Sequence, residues 1–287
     1  MDPLPKSNKH LLTILVEDYF HVGAFEKTIR REDWDGLVCR VEANTDAVLD
    51  LFAAANVKAT FFTLGWVASR YPALIRRIAD AGHEVASHGL DHIRVFTMTS
   101  DQFAEDLART RKVLEDTSGV AVTGYRAPSF SIDKRTPWAH QVLADAGYSY
   151  SSSVAPVAHD HYGWPEAPRF AFRPVAGSGL IELPVTTAKF AGKTLAAGGG
   201  GFFRLLPYGF SRWAFKQVNA AGEPGIFYFH PWEIDPDQPR VPDAPMRSKI
   251  RHYTNLDVMA AKLNRMMAAF EWGRVDAVAA RIATRRL

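Results

Sequence analysis

The chain has 287 residues, 47% of them hydrophobic and 23% charged, with a formal net charge of +3. This is ordinary globular composition, and the charge is too small and too evenly spread to argue for a nucleic-acid partner. Cys39 is the one cysteine, which excludes an internal disulfide, and no run approaches the ~18 apolar residues of a membrane span.

The elements follow in chain order. Lys6 and Lys9 precede a short apolar run, Leu11–Val16, that reads as a buried first strand. It is shorter than the roughly 7–15 apolar residues of a secretory core, so a cytoplasmic chain without membrane insertion is expected. Asn44 is expected to cap a helix to about Asn56, with Val48, Leu49, Leu51 and Phe52 inward. Lys58–Leu64 is a second strand, followed by one helix from Trp66 to Ala81 that Gly82 ends. His83–Ser87 is a third strand and delivers His88. Ser100–Thr117 is helical, Thr123–Pro128 is a strand, and Asp133–Ala146 is helical up to Gly147. Tyr148–Val154 and Ile181–Val185 read as strands around a long ordered loop rich in Pro, Gly and aromatics. Gly198–Gly201 lacks the Lys-Ser/Thr of a phosphate loop and reads as a mobile loop. Pro207–Ala220 is helical, Gly225–Phe229 is the last strand and delivers His230, and Leu256–Glu271 is a final amphipathic helix. The basic stretch with Arg274, Arg281, Arg285 and Arg286 reads as an exposed helix face.

Strands alternating with helices predict an α/β fold: a distorted (β/α) barrel of about seven parallel strands. One domain over residues 1–287 is expected, with 240–287 as a C-terminal extension packed on the barrel. Glu17-Asp18, His88, Arg126 and His230 all fall at C-terminal strand ends, where such barrels carry their chemistry.

Asp18, His88 and His92 form a candidate metal site. Two imidazoles four residues apart after a strand, with a carboxylate from another strand, match a three-ligand zinc centre with an open position for water. Such a centre predicts metal-assisted hydrolysis. Glu17 is placed to take a proton from that water. His230, held by aromatics in Phe227–Glu233, is placed to protonate a leaving group. Arg126, in Gly124–Pro128, is expected to orient a carboxylate by a bidentate contact. Arg251-His252-Tyr253 either lines the pocket or caps the last helix. Tyr19, Phe20, Trp164 and Trp232 either stack on sugar faces or belong to the core.

At these residues the chain resembles the polysaccharide deacetylase superfamily (NodB homology domain, carbohydrate esterase family four), in the cytoplasmic branch found with exopolysaccharide biosynthesis. The resemblance rests on Val16–Val22, Thr60–Gly65, Gly82–His88, Tyr125–Phe130, His159–Gly163, Phe229–Glu233 and Arg251–Leu256. It implies a NodB-like barrel and a divalent metal, usually Zn2+, on Asp18, His88 and His92. It further implies removal of an N-acetyl group from a saccharide, with Glu17 as base, Arg126 holding that base and His230 as acid. Many relatives carry Asp at the position of Leu15, and another after the tyrosine where this chain has Ser151. The alternatives are an amide hydrolase on a small non-sugar substrate and a catalytically weakened carbohydrate-binding relative. An oligomer is compatible with either.

Overall fold

The computed structural model describes residues 9–158 and 162–283. Strand β1 (His10–Val16) is buried along its whole length, as a strand inside a parallel sheet must be. Around it the chain lays down β2 (Thr60–Thr63), β3 (Glu84–Ser87), β4 (Gly124–Tyr125), β5 (Tyr150–Ser151) and β6 (Ile181–Glu182) in spatial sequence, all parallel. A hairpin, β7 (Thr187–Phe190) and β8 (Lys193–Ala196), lies outside this sheet. Strand β9 (Ile226–Phe229) then pairs with the other edge of β1, and β10 (Trp272–Gly273) pairs with its first residues. The seven strands β6-β5-β4-β3-β2-β1-β9 curl into the expected distorted barrel, and β10 lies on the β2 edge of β1, before β2 begins.

The gap between β6 and β9 is bridged by extended chain. Ala197 donates to the Thr186 carbonyl, Tyr228 donates to the Gly198 carbonyl, and Gly199 bridges to Tyr228. Glycine is required at this seam, since a Cβ on Gly198 would sit 2.5 Å from the Ile226 carbonyl oxygen. Gly198–Gly201, expected as a mobile loop, is therefore the closing seam and the start of a helix.

Helices α1 (Val41–Ala54), α2 (Gly65–Arg70), α3 (Pro72–Asp80), α4 (Ser100–Ser118) and α5 (Ala139–Asp145) follow the first strands. Helices α6 (Gly200–Leu205), α7 (Tyr208–Ala220), α8 (Met246–Tyr253), α9 (Met259–Ala269) and α10 (Val275–Ala283) complete the chain. The expected helix over 66–81 is two helices, because Pro72 lacks an N–H and holds Tyr71 out of the helical region. Helix α1 starts at Val41 rather than at Asn44, whose amide instead donates to Asp235. The basic C-terminal stretch is half right. Arg274 pairs with Asp276, while Val275, Val278, Ala279 and Ile282 of α10 are buried against Leu11, Phe62 and Tyr150 beneath the barrel. Arg285 and Arg286 lie outside the described residues, as does the His159–His161 part of the resemblance.

Three buried histidines give the fold an acid limit. Burial holds the His10 ring at about 4 and the His21 and His252 rings at about 3, against 6.5 when exposed. Each ring is neutral in the folded chain and accepts its proton only on unfolding, so stability is fully present above pH 6.5 and falls as pH drops toward 4. Each contributes up to about 1.4 kcal/mol per pH unit. Through these rings the urea midpoint is expected to fall from pH 6.5 to 4, and replacing His10 or His252 with a neutral residue is expected to flatten that fall. A midpoint constant across that window would show that the rings are not held neutral.

Candidate active site

The site begins where β1 ends. Glu17 leaves that strand and is buried, His88 leaves β3 and is buried, and His92 follows four residues on. His92 has φ +57°, a left-handed conformation that a non-glycine residue keeps only when its surroundings enforce it. Glu17 Oε1 lies 2.8 Å from His88 Nε2, 3.5 Å from His92 Nε2 and 4.0 Å from His230 Nε2.

The hydrogen-bond accounting at this point is incomplete. His88 Nδ1 lies 2.8 Å from the Arg126 carbonyl and must donate to it, which turns the Nε2 lone pair toward Glu17. Neither Glu17 carboxylate oxygen nor His88 Nε2 has a hydrogen-bond partner among the described residues. Buried acceptors facing one another without a proton between them are costly, and a cation is the partner that satisfies them together. The donor atoms of Glu17, His88 and His92 lie within 4.8 Å of one another. One carboxylate and two imidazoles are a donor set that zinc accepts. Burial alone pushes the Glu17 carboxyl up, but His92, His88 and His230 more than offset it and hold it well below the usual range. Burial also lowers His92 to about 4, so its ring is neutral near pH 7 and has a lone pair to give.

Two sequence expectations are corrected by this geometry. Asp18, expected among the ligands, is turned away from the histidines. Its Oδ2 accepts from the Arg40 and Val41 N–H groups at 2.5 and 2.8 Å, and its Oδ1 from Tyr19 N–H at 2.9 Å. It caps α1, and Glu17 stands in its place beside His88 and His92. Arg126 was expected to hold a carboxylate. Its Nε and Nη2 donate to the Ser152 carbonyl and hydroxyl, its Nη1 donates to Thr13 Oγ1, and its guanidinium lies over the Phe62 ring. What Arg126 gives the site is its backbone carbonyl, which fixes the His88 tautomer.

His230 does reach the cluster, and its support was not anticipated. His230 Nδ1 lies 2.9 Å from Glu233 Oε1, which also accepts from the His230 backbone N–H at 3.1 Å. The other Glu233 oxygen accepts from Arg204 Nε at 2.7 Å, and both side chains are buried. Burial would raise the Glu233 carboxyl, but Arg204 and His230 hold it down to about 2. A Glu three residues after His230 was a readable signal; nothing in the sequence marked Arg204. Ser151 bonds Ser153.

These groups lie in a pocket of about 350 Å³ whose walls include Leu15, Phe130, Tyr228 and Trp232. Trp232 stacks on His252 at 4.0 Å and on His230 at 5.0 Å between ring centres. Arg251 and His252 line the same pocket, whereas Tyr19 and Phe20 are core residues and Trp164 packs against the core. Ser129 and Phe130, at φ 54° and 50°, form a second constrained stretch at the rim.

Comparison with known proteins divides the chain in two. Residues 34–151 match the polysaccharide deacetylase family model, and residues 152–280 match a domain of unknown function, DUF3473. A peptidoglycan deacetylase of Helicobacter pylori is 31% identical over 113 residues, 39% of this chain and 38% of that protein. Chitin deacetylase 1 of Cryptococcus neoformans is 31% identical over 126 residues, 42% of this chain and 26% of that protein. The chain thus spans well under half the length of these relatives. Among solved structures, a candidate polysaccharide deacetylase from Mycobacterium smegmatis superposes with a TM-score of 0.63 at 20% identity, covering 100% of this chain and 94% of that one. The boundary between the two matched regions falls between β5 and β6, inside one continuous sheet.

Zinc reconstitution followed by metal analysis separates the two adjacent carboxylates. Glu17→Gln and His88→Ala are expected to lose stoichiometric metal. Asp18→Ala is expected to keep it while losing about 2 kcal/mol of stability with the helix cap. Metal retained by Glu17→Gln and lost by Asp18→Ala would reverse the assignment.

Proposed function

Because residues 34–151 of this chain belong to the polysaccharide deacetylase family, we propose that the protein is a metal-dependent hydrolase that removes N-acetyl groups from an amino sugar of a bacterial polysaccharide or its precursor. The observation that carries this reading is the set of unpartnered buried donors on Glu17 and His88 at the floor of an open pocket. The similarity to a peptidoglycan deacetylase and a chitin deacetylase supports an N-acetylated saccharide as substrate. Exopolysaccharide assembly in the cytoplasm is the setting we propose, supported by the motif resemblance at Val16–Val22 and Arg251–Leu256. No described helix is long and apolar enough to cross a membrane.

Glu17, His88 and His92 would hold the cation, with zinc favoured by the donor set. Bound there, a divalent cation supplies a Lewis acid that polarises the amide carbonyl and acidifies a water. With Glu17 given to the metal and Leu15 unable to accept a proton, proton transfer falls to His230. Its Nδ1 donates to Glu233, so its Nε2 presents a lone pair toward the cluster. That nitrogen takes a proton from the attacking water and returns it to the departing sugar amine. Glu233 and Arg204 hold the ring in this tautomer, and Trp232 fixes its plane. Tyr228 and Phe130 offer apolar faces to a sugar ring.

Acetate release from N-acetylglucosamine oligomers by zinc-loaded protein, with an EDTA-treated control, tests the reading. His230→Ala is expected to lower turnover roughly 10²–10⁴-fold with metal retained. No metal-dependent release from any oligomer would leave an amide hydrolase with a different acyl substrate or a catalytically weakened carbohydrate-binding relative. Leu15→Asp tests the missing base. Thr13, Leu15 and Glu17 alternate onto one side of β1, and Thr13 already contacts buried Arg126. An added carboxylate there is expected to raise turnover at least about tenfold, the lower part of the range for general bases. Unchanged turnover would leave both proton transfers with His230.

A further inference from the structure

Two helices beside the pocket carry exposed apolar side chains that the hydrolytic reading does not use. On α6, Phe202 and Leu205 line the pocket and are about 40% exposed, at 39% and 41%. On α8, Met246 and Ile250 stand one turn apart and are 69% and 58% exposed. The two helices are fastened together through Arg204. Its guanidinium donates to the Thr254 carbonyl and to the Arg251 carbonyl at 3.2 Å, and its own carbonyl accepts from Asn255 Nδ2 at 3.0 Å. The two helices that carry these apolar side chains are therefore fixed relative to one another. Basic residues accompany them: Arg240, Arg247, Lys249 and Arg251 against a single acid, Asp243, over residues 240–253. Lys249, Ile250 and Arg240 border the same shallow groove.

Apolar side chains flanked by cations match the headgroup–acyl boundary of a bilayer that carries anionic lipid. Water-exposed Met and Ile on a short helix bring no stability to the isolated chain, whereas their burial in a lipid surface is favourable. We propose that the α6–α8 rim docks on an anionic lipid surface, so that the pocket opens toward the membrane and takes a saccharide carried on a lipid. The docking stands on the surface alone; the saccharide cargo rests on the function proposed above.

Co-sedimentation of EDTA-treated full-length protein with vesicles separates the docking from any failure of catalysis. Binding is expected to vesicles of mixed phosphatidylcholine and phosphatidylglycerol, to weaken with salt, and to be much poorer with phosphatidylcholine alone. The double substitution Met246→Asp and Ile250→Asp is expected to weaken binding at least about tenfold while leaving circular dichroism and zinc content unchanged. Arg247→Glu with Lys249→Glu is expected to remove the preference for anionic vesicles. Absence of vesicle binding, or binding that neither variant alters, would overturn the proposal. So would a concentration-dependent dimer, seen by light scattering and abolished by Met246→Asp, since a second copy would then be what covers the rim.

Discussion

A carboxylate buried without hydrogen-bond donors is among the more expensive arrangements a fold can hold, and Glu17 is such a group. Three imidazoles converge on it from β3, from the turn after β3 and from β9. Those elements are held in place by their pairing with β1 or with its neighbour β2. The barrel thus brings four polar groups together, with the Glu17 oxygens and His88 Nε2 left without a hydrogen-bond partner among the described residues. A bound cation stabilises the fold and readies the chemistry through the same contacts.

Around that corner lies a second shell of fixed dipoles. The Arg126 carbonyl sets the His88 tautomer, and Glu233 sets that of His230. Glu233 is itself steadied by Arg204, whose other bonds reach the backbone after α8. His230 is therefore tied to the C-terminal part of the chain, while the two histidines beside Glu17 lie in the region that matches the polysaccharide deacetylase model. Gly200 belongs to the same support: a Cβ there would meet Glu233 Oε1 at 2.4 Å, so α6 can approach the carboxylate only without a side chain.

The barrel, the positions of His88, His92 and His230, and the strand-end location of the site were legible because each rests on a short periodic run and a following turn. The choice between Glu17 and Asp18 was not. Adjacent residues at a strand end differ only in where the backbone bends, and that bend is set by contacts far along the chain. Asp18 N–H donates to His21 Nδ1, and the Asp18 carboxylate meets the first turn of α1. The same contacts moved the helix start from Asn44 to Val41. Arg126 misled because a buried guanidinium was read as half of an ion pair; hydroxyl and carbonyl acceptors and the Phe62 face satisfy it here. The β7–β8 hairpin did have a signal. Ala191 and Gly192, both at positive φ, make the two-residue turn that links such strands.

The position of β1 bears on how the molecule comes into being. This strand is made early, yet Leu11 pairs with Ile226 on one edge and His10 with Trp272 on the other, so its β9 edge and the start of its β2 edge wait for chain synthesised much later. Pairings this distant in sequence are slow to form and leave an unpaired edge in the meantime. On the ribosome, the strands β1 to β4 can gather Glu17, His88 and His92 before residue 151 has emerged, whereas His230 arrives only with the last turn of the sheet. A nascent chain would then be able to hold a metal ion well before it has a residue to move a proton, so binding and turnover would begin at different moments of biogenesis.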